Sequence, residues 1–308
     1  MAILYSIKHQ SLYIGKQQNR ANKEPSLDRA NFTNLEYLET TLSFVETPTP
    51  PTIRVYPKLF GSTEQVPEVK HKVKIYDCRE FSGQLSLDVA GFEVHKAPSE
   101  INNFYDNTEV IEKYYPEVER KMEEILSAHK VIVFDHNVRS QVKADAGQEG
   151  VREPVEGAHN DYTLSSGPRR ISEVIKDKGY SYLISRRCAL VNFWRPVIEP
   201  VEDMPLAICD AQTTELKDFV ATKIEHFQEE NLATPTLTGE IYSFKYSPKH
   251  KWFYVPKMKS SEVILLKCYD SADDGRACFT GHTGFLNPNL PKTFTPRESI
   301  EARTVVVF

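Results

Sequence analysis

A chain of 308 residues is large for one domain, yet within the span of a single β-sandwich or barrel that carries helices. Its 43 acidic and 38 basic side chains give a net charge of −5 and are dispersed along the whole length, which argues against nucleic acid and a membrane surface and leaves a small-molecule partner as the expectation. The start, Met1–His9, lacks the charged and apolar regions of a signal peptide, and no apolar run approaches a membrane span, so the expected location is cytoplasmic. Cys78, Cys188, Cys209, Cys268 and Cys278 are odd in number, far apart and never in a Cys-x-x-Cys pair, as expected of reduced packing residues rather than disulfides or a thiolate metal site.

In chain order, residues 1–60 hold short apolar pieces that end in the proline-rich link Thr47–Thr52. Alternating runs at 52–56 and 73–77 then read as half-buried strands, with a third at 91–95. Residues 107–128 carry Val118, Met122, Ile125 and Leu126 on one helical face; Asn107 or Thr108 is the expected cap, and Pro116 suits a first turn. A strand at 130–138 and a polar loop over about 139–156 follow, then a short amphipathic helix at 171–178 stopped by Gly179. Beyond it the texture is of strands, at 188–196, 206–209, 240–246, 252–255, 262–266 and 305–308, with a helix near 214–221 as an insertion. Many short strands separated by Pro, Gly and Asn predict a mainly β sandwich or barrel with helical decoration. No internal repeat or second domain is indicated: residues 1–129 read as a strand and helix extension, 130–308 as the core, and the whole as one unit.

Chemistry enters at Gly157-Ala158-His159-Asn160-Asp161-Tyr162-Thr163. On an extended strand, residues two apart share a face, so His159 and Asp161 can meet one metal ion. Such a pair needs one further His to make the 2-His-1-carboxylate set of non-haem Fe(II) oxygenases. After Asp161 only His226, His250 and His282 remain, and His226 sits in the charged stretch Glu225–Glu230. Both His250 and His282 stand beside aromatic residues, where a histidine is more often a packed core residue than a ligand. His282 is favoured because Arg297 follows fifteen residues later: two neighbouring strands would aim both side chains into one interior. There Arg297 can grip a carboxylate through two parallel hydrogen bonds, with Ser299 on the same face adding a third.

Together these residues resemble the Fe(II)/2-oxoglutarate-dependent oxygenases, within them the fungal gibberellin-desaturase-like group, which is also similar to the cephalosporin methoxylation proteins. The resemblance covers roughly residues 130–308 and rests on His159–Thr163, Asn192–Pro196, Pro205–Asp210, His250–Met258, Lys267–Ser271, His282–Phe285 and Pro296–Arg303, seven blocks in order. It implies a double-stranded β-helix, the jelly-roll of cupin-like proteins, with Fe(II), 2-oxoglutarate and O2 as the reaction's metal and cosubstrates. His159, Asp161 and His282 match the iron ligands, with His250 the alternative to His282; Arg297 matches the cosubstrate anchor, with Arg303 the alternative. Trp194, Arg195, His250, Trp252 and Tyr254 are candidate walls of the substrate pocket. The implied reaction attacks an unactivated C–H bond of a small specialised metabolite, by hydroxylation, desaturation or oxidative ring closure, while 2-oxoglutarate is decarboxylated to succinate. A non-enzymatic ligand-binding protein on the same barrel is the alternative. The N-terminal strands would offer an edge for pairing into a homodimer.

Overall fold

Alternation of inward and outward side chains builds two facing sheets. The computed structural model describes residues 35–47, 50–56, 67–81, 83–228 and 231–308; the expectations for Met1–His9, for the remainder of the first 34 residues and for Pro48 and Thr49 lie outside them. The strands are β1 Tyr37–Val45, β2 Thr52–Val55, β3 Glu68–Asp77, β4 Phe92–Lys96, β5 Lys130–Ser140, β6 Val151–Arg152, β7 His159–Asn160 and β8 Cys188–Pro196. They continue with β9 Leu206–Cys209, β10 Phe219–His226, β11 Leu237–Phe244, β12 Trp252–Tyr254, β13 Glu262–Asp270, β14 His282–Gly284 and β15 Glu298–Val307. One sheet runs β1-β3-β12-β9-β14-β7-β11-β10-β2 and the other β4-β13-β8-β15-β5-β6. Pairing is mostly antiparallel, and the two sheets form the expected double-stranded β-helix.

Strand β8 shows how one sequence serves two surfaces. Leu190, Asn192 and Trp194 face the space between the sheets, whereas Ala189, Val191, Phe193 and Arg195 face outward. Helix α1, Tyr115–Leu126, covers that outer face by burying Val118 and Met122 against Val191, Leu265 and Ile300. Such burial stabilises by about 1.5–3 kcal/mol per side chain, so Met122→Asp would unseat the helix. The helix is preceded by an α turn at Asn107–Glu109 and a π turn at Val110–Tyr114. Asp106 caps the first turn in place of Asn107 or Thr108, its carboxylate accepting from the Thr108 and Glu109 amides.

Other segments differ from the sequence expectation too: β3, β13 and β15 are longer than the runs at 73–77, 262–266 and 305–308. The loop over 139–156 contains a short helix α2, Gln141–Asp145, with Ser140 as its cap, and strand β6 beside β5. The helix expected at 171–178 begins five residues earlier, as α3 Ser166–Asp177. Gly167 and Pro168 look like breakers, but a Pro in a first turn surrenders no needed hydrogen bond. Gly167 is required there because a Cβ would lie 2.6 Å from the Tyr269 ring. No insertion helix forms near 214–221: after a 3-10 turn at Leu216–Asp218, Val220, Thr222 and Ile224 alternate along β10, paired to β11.

The proline-rich link leads into β2, an edge strand, as a segment rich in Pro should. All five cysteines are buried free thiols. Among the described residues, no helix is long and apolar enough to cross a membrane.

Candidate metal centre and cosubstrate pocket

Strand β7 is only two residues long, but it lies between β14 and β11, where both histidines can be placed by register. His159 on β7 is the direct cross-strand partner of His282, which opens β14, and their rings are 4.5 Å apart. Asp161 follows the strand and turns to the same side, with its Oδ1 3.4 Å from His159 Nε2. One donor atom from each of His159, Asp161 and His282 lies within 4.8 Å of the other two. Asn160, between them, points the opposite way and donates to the carbonyls of Tyr162 and Cys268. Thr163 then closes the motif by accepting from the amides of Ser165 and Ser166 at the start of α3. The motif is thereby pinned at both ends.

Protonation suits a cation. The Gly157 carbonyl can only accept, so the 2.7 Å contact holds a proton on His159 Nδ1 and makes Nε2, which faces Asp161, the atom free to ligate once it is deprotonated. Burial resists charging of His159, but the hydrogen bond and charge of Asp161 outweigh it and raise its pKa. His282 is pushed down to about 3 by burial and by His159, which keeps it a neutral ligand. Burial also opposes ionisation of Asp161, yet Arg303 and the two histidines hold its pKa well below the usual carboxylate range. Once the proton that Asp161 favours on His159 is displaced, two imidazoles and one carboxylate converging from one side fit an Fe(II)-type ion with open positions opposite.

The cavity beside this cluster is lined by Arg139, Val155, Trp194, Leu206, Gly284 and Arg297, among others. Arg297 is buried and fixed: Nε donates to Ser299 Oγ at 3.1 Å, Nη1 to the Met204 carbonyl at 2.8 Å, and the guanidinium lies 5.2 Å from the Trp194 ring. Burial and then Arg139 pull its pKa down to about 10, still charged at neutral pH. Ser299 accepts from Arg297 and so keeps its own hydroxyl proton to donate. Gly284 makes room, since a Cβ there would sit 3.0 Å from the Val155 carbonyl and 3.4 Å from Arg297 Nη1.

Arg303 is placed elsewhere. Its Nε stands 3.4 Å from Asp161 Oδ2 and 3.5 Å from Glu301, and its Nη1 donates to Asp135 at 3.2 Å, so three carboxylates hold it. His250 is not brought to the cluster: it hydrogen-bonds Asp218 at 3.0 Å and stacks on Phe244, in the aromatic core that also takes Trp252. Tyr254 packs edge-on against Phe285 outside the cavity lining. Of the five candidate pocket walls, only Trp194 lines the cavity. Arg195, its neighbour in sequence, faces outward among Tyr114 and Phe193 and donates to the Ala97 carbonyl, because adjacent strand residues point to opposite faces. Sequence reading missed Asn192, Arg139, Glu301 and Gly284. The signal for Asn192 and Glu301 was parity, two residues from Trp194 and two from Ser299; Arg139 was hidden by the loop assignment.

Fold and donor set together define the class of non-haem iron oxygenases. The family described as "Oxidoreductase/YMDC permease-like domain" matches residues 35–307. The chain belongs to that family, and it is an enzyme of the Fe(II)/2-oxoglutarate-dependent dioxygenase type. It is 29% identical over 240 residues to the alpha-ketoglutarate-dependent dioxygenase phiK of a fungal species, covering 77% of this chain and 83% of that one. It is 28% identical over 258 residues to the Fe(II)/2-oxoglutarate-dependent dioxygenase nvfI of Aspergillus novofumigatus, covering 82% and 89%. A solved structure of the iron and alpha-ketoglutarate-dependent endoperoxidase NvfI superposes with a TM-score of 0.75 at 25% identity, covering 88% of this chain and 98% of that one.

Proposed function

We propose that His159, Asp161 and His282 hold Fe(II), and that Arg297 with Ser299 grips the distal carboxylate of 2-oxoglutarate. The enzyme then oxidises an unactivated C–H bond of a small specialised metabolite by hydroxylation, desaturation or oxidative ring closure. The observation that carries this reading is the convergence of three donors within 4.8 Å in a cavity whose wall is a buried, pre-oriented arginine. Bound iron and keto acid supply the oxidising chemistry, and the protein supplies orientation and exclusion of water. Its own contribution is legible: Gly157 sets the tautomer of His159, Ser299 and Met204 fix the Arg297 fork, and Trp194 and Leu206 keep that end of the cavity apolar.

The relatives are named as hydroxylase/desaturases and as an endoperoxidase, which supports oxidation at carbon without choosing the outcome. The proposal treats the chain as one cytoplasmic catalytic unit whose segment 1–129 extends the 130–308 core. The edge position of β1 in its sheet supports pairing into a homodimer.

Anaerobic addition of Fe(II) and 2-oxoglutarate should give the weak visible charge-transfer band of such complexes. Admission of air should then release succinate even without a primary substrate. Absence of both the band and succinate contradicts the proposal.

A further inference from the structure

The two oxygens of Asp161 are in different surroundings. Oδ1 faces His159 Nε2, on the metal side. Oδ2 accepts a 2.7 Å hydrogen bond from Asn192 Nδ2 and lies 3.4 Å from Arg303 Nε. Asn192 on β8 and Arg303 on β15 are direct cross-strand partners, both facing the space between the sheets. Asn192 is buried, and Arg303 is itself tied to Asp135 and Glu301. Arg303 Nε makes no hydrogen bond at this geometry, so it supplies charge, while Asn192 supplies the directional contact.

We infer that Asn192 and Arg303 are positioning residues that clamp the outer oxygen of Asp161, so that this carboxylate offers one oxygen, not two, to the metal. The inference rests on the proposed role of Asp161 as a ligand. A free carboxylate can rotate and bind through both oxygens, which would fill one of the positions an oxygenase must keep open. Holding Oδ2 against the β8–β15 pair removes that option. It also accounts for the arginine on β15: Arg297, which immediately precedes the strand, is proposed to serve the carboxylate end of the cavity, and Arg303 has different work. Groups that orient ligating side chains in this way are commonly worth about ten- to a hundredfold in metal affinity.

The test uses Co(II) as probe, titrated anaerobically into the whole protein and followed by calorimetry and by the ligand-field absorption bands. Asn192→Ala should weaken Co(II) binding about tenfold or more and change the band pattern as the carboxylate swings to a second mode. Asn192→Leu, which keeps the branched shape and the number of heavy atoms without a donor, should do the same and serves if the alanine variant does not fold. Arg303→Lys, which keeps the charge, should stay within about threefold of the parent. Unchanged affinity and bands in Asn192→Leu would overturn the clamp while leaving the metal site standing. Full Co(II) binding by Asp161→Ala would instead overturn the metal assignment beneath it.

Discussion

Two buried histidines, His282 and His250, look alike in sequence and do opposite things in the structure. Both stand beside aromatic residues in the chain, and both end beside a carboxylate. His250 is committed elsewhere: Asp218 takes its Nε2 and Phe244 lies flat against its ring, so it belongs to the aromatic core with Trp252 and Phe44. His282 is registered opposite His159 and faces Asp161, so its ring joins three donors that converge within 4.8 Å. A histidine's neighbours in sequence do not tell the two apart. Its cross-strand partner does.

The largest effect expected from this contrast is at the donors themselves. Asp161→Ala and His159→Ala should abolish Fe(II) or Mn(II) binding in a titration, with succinate release falling to background and the fold intact by circular dichroism. Arg297→Ala should come next. It removes the proposed charge-assisted grip on the keto acid's carboxylate, about 3 kcal/mol, and so should raise the KM for 2-oxoglutarate roughly a hundredfold with metal affinity little changed. Gly284→Val should act in the same direction and more weakly, because the added methyls press on Arg297 Nη1.

The pH dependence of metal binding should sharpen the comparison further. Protonated His159 cannot ligate, and its pKa is raised by Asp161 once burial is overcome. Affinity should therefore hold above that raised value and fall as pH drops through it, by about tenfold per unit. His282, already down to about 3, should contribute nothing over the same range. The smallest effect concerns Arg195. Since it faces outward, Arg195→Met should change the KM for 2-oxoglutarate or primary substrate by no more than about twofold, whereas Trp194→Ala should alter both.

Much of this was legible in the chain. His159-x-Asp161 announced itself because period-two geometry needs only one strand. His282 and Arg297 could be ranked because they stand at the openings of β14 and β15. The limits of β8 and β9 could be read to the residue, since an apolar run ending in Pro or a polar turn has few other ways to fold. What failed were judgements that need the third dimension. Arg195 was grouped with Trp194 by adjacency, although the same alternation that joined His159 to Asp161 excludes it. Arg303 reads as an anchor for a ligand because Asp135 and Asp161, which hold it, are distant in sequence. Helix α3 was cut short because Gly167 signals a break until Tyr269, about a hundred residues away, is seen against it.

The central claim is that the metal is held at the β7–β14 pair and not beside β10. The most direct test is an Fe(II) or Mn(II) titration of two variants in parallel, His282→Gln and His250→Gln. Removing a partner from the buried His250–Asp218 pair should cost stability, about 3 kcal/mol, but leave one metal bound per folded chain with unchanged affinity. His282→Gln should remain folded and lose tight binding. Retained affinity in His282→Gln together with loss in His250→Gln would contradict the account.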